Sequence, residues 1–131
     1  MEKDNYSLQL GTFLENLESS NGRTKKLVLK TSNSVHVVNI NEIIRCQSDK
    51  NYTHFFTISN GKIVVSKTLK EYEELLSDFG FFRSHQSHLI NLNFIKRFDK
   101  AEGGMLVMKD GSKVPVSFRK KEEMMKIFKR L

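Results

Sequence analysis

Between Phe81 and Asn93 the chain reads FFRSHQSHLINLN, and the polar side chains gathered there are those of hydrogen-bond recognition. Arg83, His85, Gln86, Ser87, His88, Asn91 and Asn93 are set among Phe81, Phe82, Leu89, Ile90 and Leu92. A guanidinium matches phosphate oxygens or the O6/N7 edge of guanine, and a carboxamide pairs with N6/N7 of adenine. The apolar residues at both ends are the anchors that would hold a short reading segment to a core. The spacing predicts that Arg83 and His85 share one face of an extended segment, with Phe82 and Ser84 on the other. Two further donor clusters stand elsewhere: Lys50-Asn51-Tyr52-Thr53, and Ser117 with Arg119-Lys120-Lys121. The last lies where a strand pattern gives way to a helical one, so free N–H groups at a helix start would add to it. Taken singly, each cluster is more readily read as a polar turn, and Lys120-Lys121 as a solvated helix face. Together they favour a polyanionic ligand.

Catalytic readings have less to stand on. There is no glycine-rich phosphate loop and no G-x-S-x-G. Cys46 lies mid-strand with no neighbouring base, the pattern of a buried inert thiol. His85 and His88 form an H-x-x-H pair that no acidic residue or cysteine cluster completes into a metal site. Glu73-Glu74 and Glu122-Glu123 read as solvated helix faces rather than acid/base pairs. No enzyme activity, metal or cofactor is expected. A hydrolase built on His85 or His88 would lack both nucleophile and orienting acid.

The whole chain agrees with a binding role. Its 131 residues are enough for one domain with a single core. Lys and Arg number 22 against 15 Asp and Glu, a formal charge of +7, and the isoelectric point is about 9.6. That balance points first to nucleic acid and second to an anionic membrane surface. No run approaches the roughly 18 apolar residues of a membrane span. The start, MEKDNYSLQL, is not a secretory signal. A single Cys suits a reducing compartment. The expected location is the cytoplasm.

The elements that must position these residues are mostly strands. Residues 1–24 stand apart: Leu10, Phe13, Leu14 and Leu17 are spaced for one helical face, and Ser19-Ser20-Asn21-Gly22 reads as a turn or linker. This segment is either a tether into a domain at 25–131 or a helix packed on its sheet. Strand patterns follow at 27–31, 35–40, 43–47, 52–58 and 62–66. Asn60-Gly61 is predicted to make a tight hairpin, since both residues accept positive φ. Thr68-Leu69-Lys70-Glu71 is a capping box. It starts a helix whose face is Leu69, Tyr72, Leu75, Leu76 and Phe79, with Gly80 at its C-cap. Shorter strands are expected at 94–98, 105–108 and 113–116, with a turn at Asp110-Gly111 and Pro115 on an edge. From Ser117 a helical stripe of Met124, Ile127, Phe128 and Leu131 closes the chain. Helix-turn-helix, zinc-finger and basic-zipper patterns are absent. Tyr52, Phe55 and Phe56 on one strand allow an RNA-binding sheet, but one of the two adjacent Phe must face the core.

FFRSHQSHLINLNFIKRF followed by LVMKDGSKVPVSFRKK, with IIRCQSDKNYTHFF, NGK and VSKTLKEYEELL upstream in the same order, resembles the LytTR family of bacterial DNA-binding domains. The resemblance covers residues 26–128. It implies a mainly β fold of about ten strands in small antiparallel sheets with one or two short helices. It implies that loops and strand ends, not a recognition helix, enter successive major grooves. Carried over, His85 and Gln86 are the central readers, with Arg83 and Ser87 in support. Arg119 enters the neighbouring groove with Lys120 beside it, and Lys50, Asn51 and Tyr52 make a third contact. Relatives carry Arg or Asn where Gln86 stands and often an aromatic residue at His88. His88, Leu89 and Asn91 are therefore expected to shape the loop. The implied function is sequence-specific promoter binding for transcription regulation, on paired repeats and with a homodimer on DNA as one possibility. A sensor kinase would act only through a receiver domain, which needs ~120 residues and has no counterpart here. The linker-like start favours the output half of a two-component response regulator. A stand-alone regulator and a basic protein-interaction module are the alternatives.

Overall fold

The computed structural model describes residues 25–131, so the N-terminal stripe of Leu10 to Leu17 lies outside the described residues. Among them the chain forms ten strands in three antiparallel sheets and two α-helices. Strands β1 (Lys26–Lys30) and β2 (Val35–Asn39) pair as a ribbon. The central sheet has five strands. These are β3 (Ile43–Asp49), β4 (Tyr52–Thr57), β5 (Lys62–Val65), β6 (Phe81–His85) and β7 (His88–Asn91), in the spatial order β5-β4-β3-β7-β6. A third sheet orders β10 (Lys113–Pro115), β9 (Met105–Met108) and β8 (Ile95–Asp99). Helix α1 (Leu69–Leu76) joins β5 to β6, and α2 (Lys121–Arg130) ends the chain.

Adjacent apolar pairs explain why the central sheet lies in the middle. Side chains alternate across a strand, so neighbouring large residues need a core on each face. Ile43, Phe81 and Leu89 pack with β1, β2 and α1 in one buried cluster. Ile44, Phe82 and Ile90 pack with β9, β10 and Met124 of α2 in a second. Phe55 is fully buried against Tyr72 at 4.7 Å in an edge-on contact. Its neighbour Phe56 is half-buried with the Arg45 guanidinium 3.9 Å above its ring. The Arg45 side chain also donates to Ser112 Oγ (3.2 Å) and Gln47 Oε1 (2.9 Å), tying the central sheet to the β9–β10 loop.

The Thr68–Glu71 capping box forms, and Gly80, at φ 84°, ends the following turn in the left-handed region. Pro115 lies on edge strand β10, where its missing N–H leaves no gap in the ladder. Three details depart from the sequence reading. Leu75 is 49% and Leu131 78% exposed, because Leu69, Tyr72 and Leu76 already fill the seam under α1 and Leu131 follows the last turn of α2. Asn60-Gly61 does not make a two-residue turn. The loop spans 58–61, only Gly61 takes positive φ (65°), and Thr57 Oγ1 bridges it by donating to Gly61 O at 2.9 Å and accepting from Asn60 N at 2.9 Å. The α-helical part of the last segment starts at Lys121, after a 3-10 turn over Phe118–Lys120.

Candidate nucleic-acid interface

The three donor clusters lie at one end of the central sheet, and backbone hydrogen bonds join them. Strands β3 and β4 turn through Lys50 and Asn51, with Asp49 paired to Tyr52. Strands β6 and β7 turn through Gln86 and Ser87, with His85 paired to His88. Because β3 runs antiparallel to β7 with Gln47 opposite His88, both turns emerge at the same end. Ser48 N donates to Ser87 O at 3.0 Å between them. On the other side Ser117 N donates to Ser84 O at 2.8 Å, while Ser84 Oγ donates to Pro115 O at 3.1 Å. The segment carrying Arg119 thus leaves from beside the Gln86 turn. Residues separated by more than thirty positions meet in one row.

Within the row, a β-bulge between Arg83 and His85 breaks the expected alternation. The two side chains do not share a face. Arg83 reaches back to α1, where its Nη1 lies 2.6 Å from Glu73 Oε1. Its Nε donates to His85 O (3.2 Å) and its Nη2 to Gln86 O (2.5 Å). Each nitrogen of the guanidinium is engaged within the protein. The His85 ring instead packs edge-on to His88, 5.6 Å between centroids. His85 Nδ1 accepts from Ser87 N at 3.0 Å. In the neutral ring that bond leaves the proton on Nε2, which becomes the ring's donor. Gln86 is exposed at the tip.

The residues below the turn hold its shape, as expected. Asn91 is buried, donates to Ile43 O at 2.9 Å and accepts from Asn93 N at 3.0 Å. His88 is half-buried, and its Nδ1 is buried without a partner. Burial first, then the nearby Arg45 and His85, push its pKa down to about 4, so the imidazole is neutral around pH 7. Burial also drives the Cys46 thiol far upward, leaving it protonated and unreactive. Among the described residues no group of three or more His, Cys, Asp or Glu could hold a metal ion. Nor is any helix there long and apolar enough to cross a membrane.

The outer contacts are cationic and strained in one place. Lys50 has φ 59°, the only positive φ among the described non-glycine residues. A lysine held in this region costs on the order of 1–2 kcal/mol. Asn51 and Arg119 are exposed, and Tyr52 is 51% exposed. Lys120 is more enclosed: its ammonium lies 5.5 Å from the Phe82 ring centroid and 3.6 Å from Glu123. Two residues at this end were not singled out by the sequence reading. Lys67 is exposed, and its carbonyl accepts from Thr53 Oγ1 at 2.7 Å, so the end of β5 joins the Lys50 turn. The β4–β5 register is the signal that would have placed it there. Phe118 is 88% exposed beside Arg119.

A family model, the LytTr DNA-binding domain, matches residues 33–129. The chain belongs to the LytTr DNA-binding domain family. The family is one of DNA-binding domains. It is 31% identical over 116 residues to the sensory transduction protein LytT of Bacillus subtilis, covering 87% of this chain and 48% of that protein. With LytT of Oceanobacillus iheyensis it shares 35% identity over 99 residues, 72% of this chain and 40% of the relative. The chain therefore spans less than half the length of these LytT proteins. A solved LytTr DNA-binding domain from Bacillus cereus superposes with a TM-score of 0.68 at 26% identity, covering 79% of this chain and 95% of that one. The mainly β LytTr fold expected from the resemblance is the fold observed.

Proposed function

We propose that residues 25–131 bind promoter DNA sequence-specifically as the output domain of a two-component response regulator in the cytoplasm, with residues 1–24 as its tether. The observation that carries this reading is the row of three turns at one sheet end, stitched by the Ser48–Ser87 and Ser84–Ser117 backbone bonds. A rigid row of loops can follow the face of a duplex across adjacent grooves without inserting a helix. His85 Nε2, the Gln86 amide and Arg119 read base edges. Lys50, Asn51, Tyr52 and Ser87 meet the phosphate backbone and set salt dependence, while Lys120, held between Phe82 and Glu123, adds positive charge behind them. Arg83 acts one step behind them, holding the carbonyls of His85 and Gln86 against α1. Paired repeats bound by two protomers, and a sensor kinase acting through a receiver domain, complete the proposal. The description of the LytT relatives as sensory transduction proteins supports it.

Selection from a randomised duplex library, followed by electrophoretic mobility shift at a salt concentration that suppresses non-specific binding, tests it. A selected repeat motif is the expected result. Recovery of no motif would defeat the proposal and leave the basic protein-interaction module.

A further inference from the structure

The 3-10 turn Phe118–Lys120 has an anchored side and an open side. Before it, Val116 is buried and Ser117 N is bonded to Ser84 O. Within it, Lys120 folds back over Phe82 and Lys120 N donates to Ser117 O at 2.9 Å. Successive side chains in such a turn diverge by about 120°. With Lys120 directed inward, Phe118 and Arg119 are the two that project. Phe118 is the most exposed large hydrophobic residue among those described, at 88%. Its neighbour contact is the Lys121 ammonium, 5.8 Å from the ring centroid. A phenyl ring 88% exposed, on a turn whose preceding residue Ser117 is bonded to Ser84 beside His85, and flanked by Arg119, Lys120 and Lys121, sits where an apolar core partner is absent and a polyanion is expected.

The apolar feature of a major-groove floor is the C5-methyl group of thymine, and phenylalanine is one of the side chains that meets it. We infer that Phe118 is a specificity-determining residue that packs on the C5-methyl of a thymine next to the base pair met by Arg119. The inference rests on the DNA-binding reading of this sheet end. The pairing of the two residues makes chemical sense. Arg119 distinguishes a guanine by two hydrogen bonds, and Phe118 distinguishes thymine from cytosine, which lacks the methyl. A ring rather than a short aliphatic side chain suits this place, because its face can carry the Lys121 charge while its edge stays apolar.

The test uses the full chain and a duplex selected by the wild-type protein. Each thymine in turn is replaced by deoxyuridine, which removes the methyl group and leaves the hydrogen-bonding edge unchanged. At one thymine, wild-type binding should weaken about fourfold, the value of one buried methyl group at ~0.8 kcal/mol. Phe118→Ala should bind the thymine and deoxyuridine duplexes equally at that position, and Phe118→Leu should restore part of the difference. Because the ring is exposed, the melting temperature of Phe118→Ala should stay at the wild-type value. Discrimination that survives in Phe118→Ala overturns the inference, as does an equal loss on every duplex, which would mark contact with deoxyribose. An altered oligomeric state with unchanged discrimination also overturns it, by assigning the ring to a protein contact. A wild-type chain that selects no sequence would instead overturn the DNA-binding reading beneath it.

Discussion

Replacing Glu73 by Gln tests whether Arg83 positions the reading turn or touches DNA itself. In the fold Glu73 Oε1 receives Arg83 Nη1 at 2.6 Å, and the two side chains are 37% and 19% exposed. A charge-assisted hydrogen bond contributes roughly 1.5–3 kcal/mol when well shielded. An exposed pair contributes about 0.2–1 kcal/mol. The half-shielded Glu73 places this pair between those ranges, at about 1–1.5 kcal/mol. The bonds from Arg83 to the carbonyls of His85 and Gln86 remain in Glu73→Gln, but the ion pair at the guanidinium's other end becomes a weaker neutral hydrogen bond. The expected result is a loss of stability of about 1 kcal/mol in chemical denaturation and a loss of about tenfold in affinity for the selected duplex. Affinity for non-specific DNA should be nearly unchanged. Arg83→Ala should lower specific affinity further while leaving the slope of log affinity against log salt where it was. A phosphate-contacting Arg83 would give the opposite pattern. Freed from Glu73 it would bind all DNA more tightly, and Arg83→Ala would reduce the salt slope by about one. Either result refutes the positioning role.

Arg119→Ala should cost about 1–3 kcal/mol in specific binding and relax preference at one base pair, whereas Gln86→Ala should weaken specific binding with no large change in melting temperature. Base-by-base competition and thermal melting check the two. His88 is neutral in the fold, its pKa pushed down to about 4, and takes up a proton near 6.5 when unfolded. A depressed folded pKa means stability that is present above pH 6.5 and is lost as pH falls toward 4. At roughly 1.4 kcal/mol per unit, discounted for partial exposure, that loss is about 2 kcal/mol. His88→Phe should flatten the stability profile in this window, and an unchanged slope would count against the assignment. Lys50→Gly relieves the left-handed strain and should raise stability by up to about 1 kcal/mol while weakening DNA binding, as measured by denaturation and mobility shift.

The local elements were legible because short-range rules decide them. The capping box at Thr68 and the terminator at Gly80 are side-chain and backbone chemistry within a few residues, and both formed as expected. Neighbouring Phe55 and Phe56 signalled one core residue, and Phe55 is the one that is buried. Asn91 could be read as a loop-shaper, although its partner Ile43 O lies 48 positions away. Turn lengths were less legible. Asn-Gly is compatible with a two-residue turn, but β4 ends at Thr57 and β5 starts at Lys62, which leaves four residues in the loop, and only Gly61 needs its freedom. The face of Arg83 was misread because a bulge adds a residue to one strand, and no local pattern marks where that happens.

By itself the sequence determined the residue types of the reading segment, the strand and helix periods, the basic charge and the family motifs. All of these depend on composition and near neighbours. Tertiary structure decided which of those residues act together. Strand register placed the Lys50 turn beside the Gln86 turn, and the Ser84–Ser117 bond brought Arg119 to them across a long separation in the chain. It also divided the opening segment by role: Gln86 exposed at the tip, His85 tied to Ser87 N and packed on His88, Arg83 bound to Glu73, and Asn91 buried on Ile43 O. The physical reason is that register and bulges are settled by how the two apolar faces of the central sheet are buried, and that burial is a property of the whole chain.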